Sequence, residues 1–173
     1  MEPQLKIRSP QEGIYYLRPV IIGRNMGLGG MYATRDKFGE PIQTAALVPS
    51  TFEHRDWRIV HIGNDAFRIE NAQKYPPGVQ LTGFHNIATD DGTPVLLDQP
   101  KEFTIRPVGD GVQFEDDVYI IRPHRSEVEA QGVDICVGVE QRWIVIKTIP
   151  VDAPLEARPA WYFSRRHDLE DAS

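Results

Sequence analysis

A glycine-rich stretch, residues 23–41 (GRNMGLGGMYATRDKFGEP), is the part of the sequence that comes closest to a chemical motif. It holds five of the fourteen glycines, and Arg35 and Lys37 lie in its second half. A phosphate-binding loop needs its glycines between a strand and a helix, with a lysine and a hydroxyl residue directly after the last glycine. No Gly-Lys-Ser/Thr follows here, and residues 42–50 (IQTAALVPS) have the character of an extended segment. We therefore expect neither nucleotide binding nor a cofactor.

The residue types used by hydrolases and metal enzymes form no recognisable pattern. None of the five serines stands in Gly-x-Ser-x-Gly, and the five histidines show neither His-x-His nor His-x-x-x-His spacing. The single cysteine, Cys136, lies in the apolar run VDICVGV, which favours a packed core thiol over a nucleophile. Asp90 and Asp91 fall in the hairpin-turn signal TDDGTP, which favours solvated carboxylates over an acid–base pair. We expect a binding protein without a metal site, and not an enzyme.

Composition restricts the partners. The net charge of −6 argues against nucleic acid, because phosphate binding depends on clustered Lys and Arg. No apolar run approaches the roughly 18 residues of a membrane span, and the first residues carry no apolar signal stretch. One cysteine fits a reducing compartment. We expect a monomeric cytoplasmic protein with a single domain over residues 1–173, whose short flexible ends cover about residues 1–12 and 167–173.

Short alternating runs rich in Ile, Val, Phe, Tyr and Trp return throughout the chain, while fourteen prolines and fourteen glycines interrupt the windows that could hold a long helix. This pattern predicts an all-β fold. The predicted strands are GIYYLRPV, IIGR, AALVP, WRIVHI, AFRIENA, VQLTGF, TPVLLD, EFTIRPV, VYIIRP, DICVGV, RWIVIKTI and AWYFSRR.

The strands repeat along the chain. IYYLRP and VYIIRP align with an offset of 104 residues, which pairs Tyr15 with Tyr119 and Arg18 with Arg122, and Phe67 stands halfway between the two tyrosines. Trp57 and Trp161 are separated by the same 104 residues. Twelve short strands in three units predict a β-trefoil with pseudo-threefold symmetry, in which six strands close a barrel and three hairpins cap it. The residues predicted to be buried are Tyr15, Leu17, Trp57, Ile59, Phe67, Ile69, Phe103, Ile105, Tyr119, Ile121 and Trp161 or Phe163.

The order of several motifs resembles the fungal β-trefoil serine-protease inhibitors of the cospin type. The motifs are GIYYL at residues 13–17, IIGRN at 21–25, ALVP at 46–49, WRI at 57–59 and the aromatic strand that ends PVDAPLEARPAWYFSRR at 150–166. The resemblance implies a rigid trefoil that presents the loop between the second and third strands, about residues 24–41, to a trypsin-like protease. Arg35 and Lys37 are the candidates for entering a trypsin-like pocket, and Arg24 and Asn25 complete the candidate inhibitory residues.

Three alternatives stay open. The glycine-rich stretch is equally typical of a surface loop without a partner. The segment QRW at residues 141–143 resembles the Gln-x-Trp signature of ricin-type lectins, although it occurs once and Trp143 is better explained as a core residue of RWIVIKTI. The third alternative is a cysteine-protease inhibitor of the mycocypin type, with QKYPPGV (residues 73–79) and HRSEVEAQG (residues 124–132) as its candidate loops.

Overall fold

Six strands form a closed barrel in the computed structural model, which describes residues 10–22, 30–46, 55–72, 81–108, 117–124 and 132–165. The barrel strands are Gly13–Val20 (β1), Trp57–Gly63 (β4), Ala66–Asn71 (β5), Glu102–Pro107 (β8), Val118–Pro123 (β9) and Ala160–Arg165 (β12). Going around the barrel, β1 pairs with β4, β4 with β5, β5 with β8, β8 with β9, β9 with β12 and β12 with β1. Each barrel strand thus has a neighbour on both sides, and closure removes the open edges.

The other six strands form three hairpins against the barrel: Met31–Thr34 (β2) with Gln43–Ala46 (β3), Gly83–Asn86 (β6) with Val95–Asp98 (β7), and Val133–Glu140 (β10) with Trp143–Pro150 (β11). The hairpins also meet one another, through the pairs Gln43–Trp143, Pro41–Leu96 and Pro94–Val145. Twelve strands in the described residues, arranged as a six-stranded barrel and three mutually bridged hairpins, confirm the predicted all-β trefoil.

The threefold sequence pattern forms the core. All the residues that the repeat predicts to be buried are buried, and both Trp161 and Phe163 are among them. The two tryptophans also make the same polar contact. Nε1 of Trp57 donates to the carbonyl of Ala33 at 3.0 Å, and Nε1 of Trp161 donates to the carbonyl of Val137 at 2.8 Å. These bonds join the barrel to the hairpins at equivalent places, because a buried indole N–H needs an acceptor.

The position of the second strand differs from the prediction. Residues 21–24 (IIGR) were expected to form it, but Ile21 and Ile22 lie outside any strand and β2 is MYAT, Met31–Thr34. Ala33 is small because the indole of Trp57 packs at this point and bonds its carbonyl. Ile22 instead packs in a second apolar cluster, apart from the barrel core. The predicted loop over residues 24–41 is therefore divided by β2 into a β1–β2 connection and a β2–β3 connection.

The chain ends are joined where the structure describes them. Nη2 of Arg165 donates to the side-chain oxygen of Gln11 at 2.7 Å, and the carboxylate of Glu12 accepts from the backbone N–H of His61 at 2.9 Å. The predicted flexible ends otherwise fall on residues 1–9 and 167–173, which lie outside the described residues. Among the described residues, no helix is long and apolar enough to cross a membrane.

Candidate functional site

The β2–β3 connection is an ordered turn with an exposed tip. The backbone N–H of Glu40 donates to the carbonyl of Lys37 at 3.2 Å, and Gly39 adopts φ 79°, a conformation that favours glycine. Lys37 and Phe38 are exposed, with Phe38 at 59% of its full surface. The base of the turn is bonded to β7, since Gly39 N–H donates to the Leu97 carbonyl at 2.7 Å and Leu97 N–H donates to that of Glu40 at 2.9 Å. The tip is thus presented in a fixed orientation.

The candidate inhibitory residues are placed in three different ways. Arg35 is only 4% exposed, and its guanidinium carbon lies 5.6 Å from the centre of the Trp57 ring, so this side chain helps to anchor the connection. Lys37 is exposed at the tip of the turn. Arg24 and Asn25 belong to the β1–β2 connection and lie outside the described residues.

Three loops leave the barrel after the first strand of each unit, and in each of them a side chain lies at the neck where the two ends of the loop approach each other. At the first neck the guanidinium of Arg18 lies against Gly30, where an added Cβ would collide with Nε and approach Cζ to 2.7 Å. The Arg18 guanidinium is the end of a flexible side chain and could move away from an added Cβ, so the backbone is the stronger constraint: Gly30 has φ 148°, a conformation that favours glycine.

The second neck closes the loop over residues 72–81. Nδ2 of Asn71 donates to Oγ1 of Thr82 at 3.1 Å, and the backbone N–H of Asn71 donates to the Thr82 carbonyl at 2.8 Å. Both residues are buried, so the paired bonds satisfy polar groups that water does not reach. Residues 73–79, named above as a mycocypin-type loop, lie outside the described residues, but the strands on both sides of them are fixed.

The third neck closes the loop over residues 124–132, of which 125–131 lie outside the described residues. Arg122 of β9 and Asp134 of β10 form a two-pronged ion pair, with Nε to Oδ1 at 2.8 Å and Nη2 to Oδ2 at 2.9 Å. Nε of Arg158 donates to the same Oδ2 at 2.7 Å. The bonds from Arg122, with help from those of Arg158, hold the pKa of Asp134 at about 2.

The remaining candidates for chemistry behave as structural or surface groups where the structure describes them. Cys136 is fully buried, and burial raises the pKa of its thiol to about 12, so it is a packed core thiol as predicted. Asp90 and Asp91 are exposed in the β6–β7 turn, where the Asp91 carboxylate accepts from the backbone N–H of Thr148 at 2.9 Å. Within the described ranges, no group of three His, Cys, Asp or Glu side chains could hold a metal ion.

Trp143, the aromatic residue of the lectin-like segment, was expected to belong to the core. It is instead only half-buried. The guanidinium carbon of Arg142 lies 4.8 Å from the centre of its ring. The Arg142 guanidinium thus lies over a face of the Trp143 ring on which a sugar would stack. This contact does not favour the lectin alternative.

The polar groups at the loop necks were missed by the sequence analysis. Asn71, Asp134 and Arg158 are separated from their partners by 11 to 24 residues, and none stands in a motif. One signal was present: Arg18 and Arg122 occupy equivalent positions in the repeat, and each lies at a neck. A repeated arginine on a barrel strand could have drawn attention to both loops.

Comparison with known proteins identifies similar chains. A family model described as peptidase inhibitor clitocypin matches residues 13–163. Clitocypin-4/-3 of Clitocybe nebularis is 32% identical over 158 residues, covering 91% of this chain and 98% of the relative. Clitocypin-2 of the same fungus is also 32% identical over 158 residues, with the same coverage. Clitocypin is 31% identical over 156 residues, covering 90% of this chain and 98% of the relative.

Among solved structures, the designed threefold symmetric protein ThreeFoil superposes with a TM-score of 0.51 over 87% of this chain and 97% of its own. The sequence identity is 14%, so this similarity concerns the fold alone. It agrees with the threefold arrangement of barrel strands and hairpins described above.

Proposed function

This chain belongs to the clitocypin family of peptidase inhibitors, and we propose that it inhibits papain-like cysteine proteases through the loops that follow β5 and β9. A family of inhibitors confirms the expectation that the chain is not an enzyme. We propose cysteine proteases as the target because the mycocypin-type alternative fits this family better than the trypsin-like interpretation does. The same comparisons give no support to the lectin alternative.

The observation that carries the proposal is the closure of both loop necks by side-chain contacts. Asn71 and Thr82 close one loop, and Arg122 and Asp134 close the other, in each case between two strands of the trefoil. A loop whose ends are fixed in advance loses less conformational entropy when it binds. Such a loop can occupy a protease cleft tightly through a contact area of ordinary size.

Titration of papain tests this function. We expect the purified chain to block papain at a one-to-one ratio. Replacement of residues 125–131, or of residues 73–79, by a glycine–serine segment of equal length should weaken inhibition by about a hundredfold, because the side chains proposed to contact papain are lost.

The matched control replaces residues 109–115, in the connection between β8 and β9, by the same kind of segment. The strand ends that this connection joins, at Pro107 and Val118, lie at the opposite end of the barrel strands from the ends of β5 and β9 that lead into the candidate loops. We expect the control to inhibit papain as the unchanged chain does. Papain that keeps its full rate in the presence of excess inhibitor would refute the proposed function.

A second candidate function, inhibition of a trypsin-like serine protease, is favoured by the ordered turn that exposes Lys37. A lysine that enters such a pocket pairs with a carboxylate at its base. On this proposal, Lys37→Ala weakens inhibition of trypsin by about a hundredfold or more, as the loss of a central anchor does in other interfaces. Lys101→Ala removes an exposed lysine elsewhere and serves as the control. Equal inhibition of trypsin by both variants would exclude Lys37 as the anchor.

A further inference from the structure

Phe38 is an aromatic residue that the β2–β3 connection holds out into solvent. The other phenylalanines of the described residues are buried, and these are Phe67, Phe84, Phe103 and Phe163. A single exposed apolar residue is common on protein surfaces and does not by itself indicate a partner. Phe38 differs from such a residue because the backbone on both sides of it is fixed.

Phe38 and Gly39 are the two central residues of a turn over residues 37–40. The backbone N–H of Glu40 donates to the carbonyl of Lys37 at 3.2 Å, and Gly39 has φ 79°. Phe38 is not among the described non-glycine residues that have a positive φ. This combination is that of a type II turn, in which the first central residue has an extended backbone. Phe38 therefore has the backbone form in which an enzyme binds an extended peptide.

The carbonyl of Phe38 is accessible to a partner. When a residue fills the primary pocket of a serine protease, its carbonyl lies in the oxyanion hole and accepts from backbone N–H groups of the enzyme. The carbonyl of Lys37 already accepts the N–H of Glu40, whereas no backbone N–H in the described part of the chain donates to the carbonyl of Phe38. The space beside it is also open, because a Cβ added at Gly39 would meet no atom within 4 Å.

From these features we infer that the β2–β3 turn binds a chymotrypsin-like serine protease, with the ring of Phe38 in the primary pocket of the enzyme. That pocket is a hydrophobic slot in chymotrypsin, whereas in trypsin it has a carboxylate at its base. A buried aromatic ring contributes a large apolar area to an interface. The hydrogen bonds of Gly39 and Glu40 with Leu97 fix the turn before binding, so little conformational entropy is lost on association.

This inference rests on the second candidate function, because it concerns the same turn and a serine protease. It names Phe38, in place of Lys37, as the residue that enters the pocket. The two side chains call for pockets of different chemistry, so a chymotrypsin assay and a trypsin assay distinguish them.

Inhibition of chymotrypsin and of trypsin by variants of the purified chain tests this inference. We expect the unchanged chain to block chymotrypsin at a one-to-one ratio, and Phe38→Ala to weaken this inhibition by about a hundredfold, as the loss of a central aromatic anchor does in other interfaces. Phe38→Tyr should keep the inhibition, because the aromatic ring is retained. Phe38→Lys should transfer the inhibition from chymotrypsin to trypsin, because a cation suits the pocket that has a carboxylate at its base.

Ile87→Ala is the matched control. It truncates an apolar side chain outside the turn that is 61% exposed, close to the 59% of Phe38. We expect this variant to inhibit chymotrypsin as the unchanged chain does. All these variants should unfold at about the same temperature as the unchanged chain, because substitutions at exposed positions have small effects on stability.

Equal inhibition of chymotrypsin by Phe38→Ala and by the unchanged chain would overturn this inference. It would also be overturned if chymotrypsin kept its full rate in an excess of the unchanged chain. If trypsin is then inhibited and Lys37→Ala relieves that inhibition, the second candidate function stands without this inference. If both enzymes keep their full rate, the two fail together, and the inhibition of papain remains a separate proposal with its own test.

Discussion

Replacement of Trp161 by alanine is expected to lower the free energy of unfolding by about 3–5 kcal/mol, the usual cost of removing a fully buried aromatic side chain. Trp161 is completely buried, and its Nε1 donates to the carbonyl of Val137 at 2.8 Å. The substitution leaves a cavity in the barrel and removes the donor of a buried carbonyl in β10. Urea denaturation followed by circular dichroism measures the loss.

Two further variants separate these costs. Trp161→Phe fills most of the cavity but still removes the donor, so we expect a loss of about 1–3 kcal/mol, the cost of one unsatisfied buried polar group. Trp143→Ala removes a half-buried tryptophan that lies outside the core, and we expect its effect to be clearly smaller. If Trp161→Ala lowered the free energy of unfolding no more than Trp143→Ala does, Trp161 would not stabilise the contact between the barrel and the hairpin as described here.

The barrel could be predicted because its closure leaves a trace in the sequence. Strands at equivalent places around a threefold axis must fill the same depth, so large apolar residues recur at the same phase. Tyr15, Phe67 and Tyr119 are such a set, and all three are buried. The spacing of 104 residues between Tyr15 and Tyr119 corresponds to two whole units of the repeat. The same spacing separates the two tryptophans, and it separates their acceptors Ala33 and Val137.

The second strand could not be predicted in the same way. Only Ala33 and Thr34 of its four residues are buried, and a small residue fits there because the indole of Trp57 takes the space. The adjacent pair Ile21–Ile22 gave a stronger apolar signal, yet Ile21 is 56% exposed and Ile22 joins the second cluster. Hydrophobicity alone does not distinguish a strand in the hairpin cap from an apolar residue that packs beneath a loop.

The candidate site was harder to predict because its stabilising contacts are distant in sequence and involve charged groups. Arg35 was expected at an exposed tip, because a trypsin-like pocket takes a cationic side chain that reaches a carboxylate at its base. Its guanidinium lies instead over Trp57, a residue 22 positions away that a local pattern does not reveal. In the sequence, Asp134 is an ordinary polar residue at the start of a strand. Its ion pairs with Arg122 and Arg158 form only in the folded chain, so the sequence does not predict them.

Replacement of Gly83 by alanine is expected to destabilise the chain by about 3 kcal/mol, near the upper end of the usual cost of overpacking. A Cβ at this position would collide with the carbonyl oxygen of Ile69 and lie 3.0 Å from the Cα of Glu70. Both are backbone atoms of β5, so a side-chain rotation cannot relieve the contact and β6 must move away from the barrel. Thermal and urea denaturation measure this loss.

Gly13→Ala is the matched control, because Gly13 also lies in a strand and an added Cβ would meet the ring of Tyr15 at an ordinary distance of 3.6 Å. We expect its effect to stay within about 0.5 kcal/mol, as at other sites without a clash. Gly83 directly follows Thr82, which closes the neck of the loop over residues 72–81. Movement of β6 should therefore also weaken inhibition of papain under conditions in which the variant is still folded. If Gly83→Ala lost stability but kept full inhibition, the arrangement of this neck would not matter for binding, and the loop after β9 would have to carry the proposed function alone.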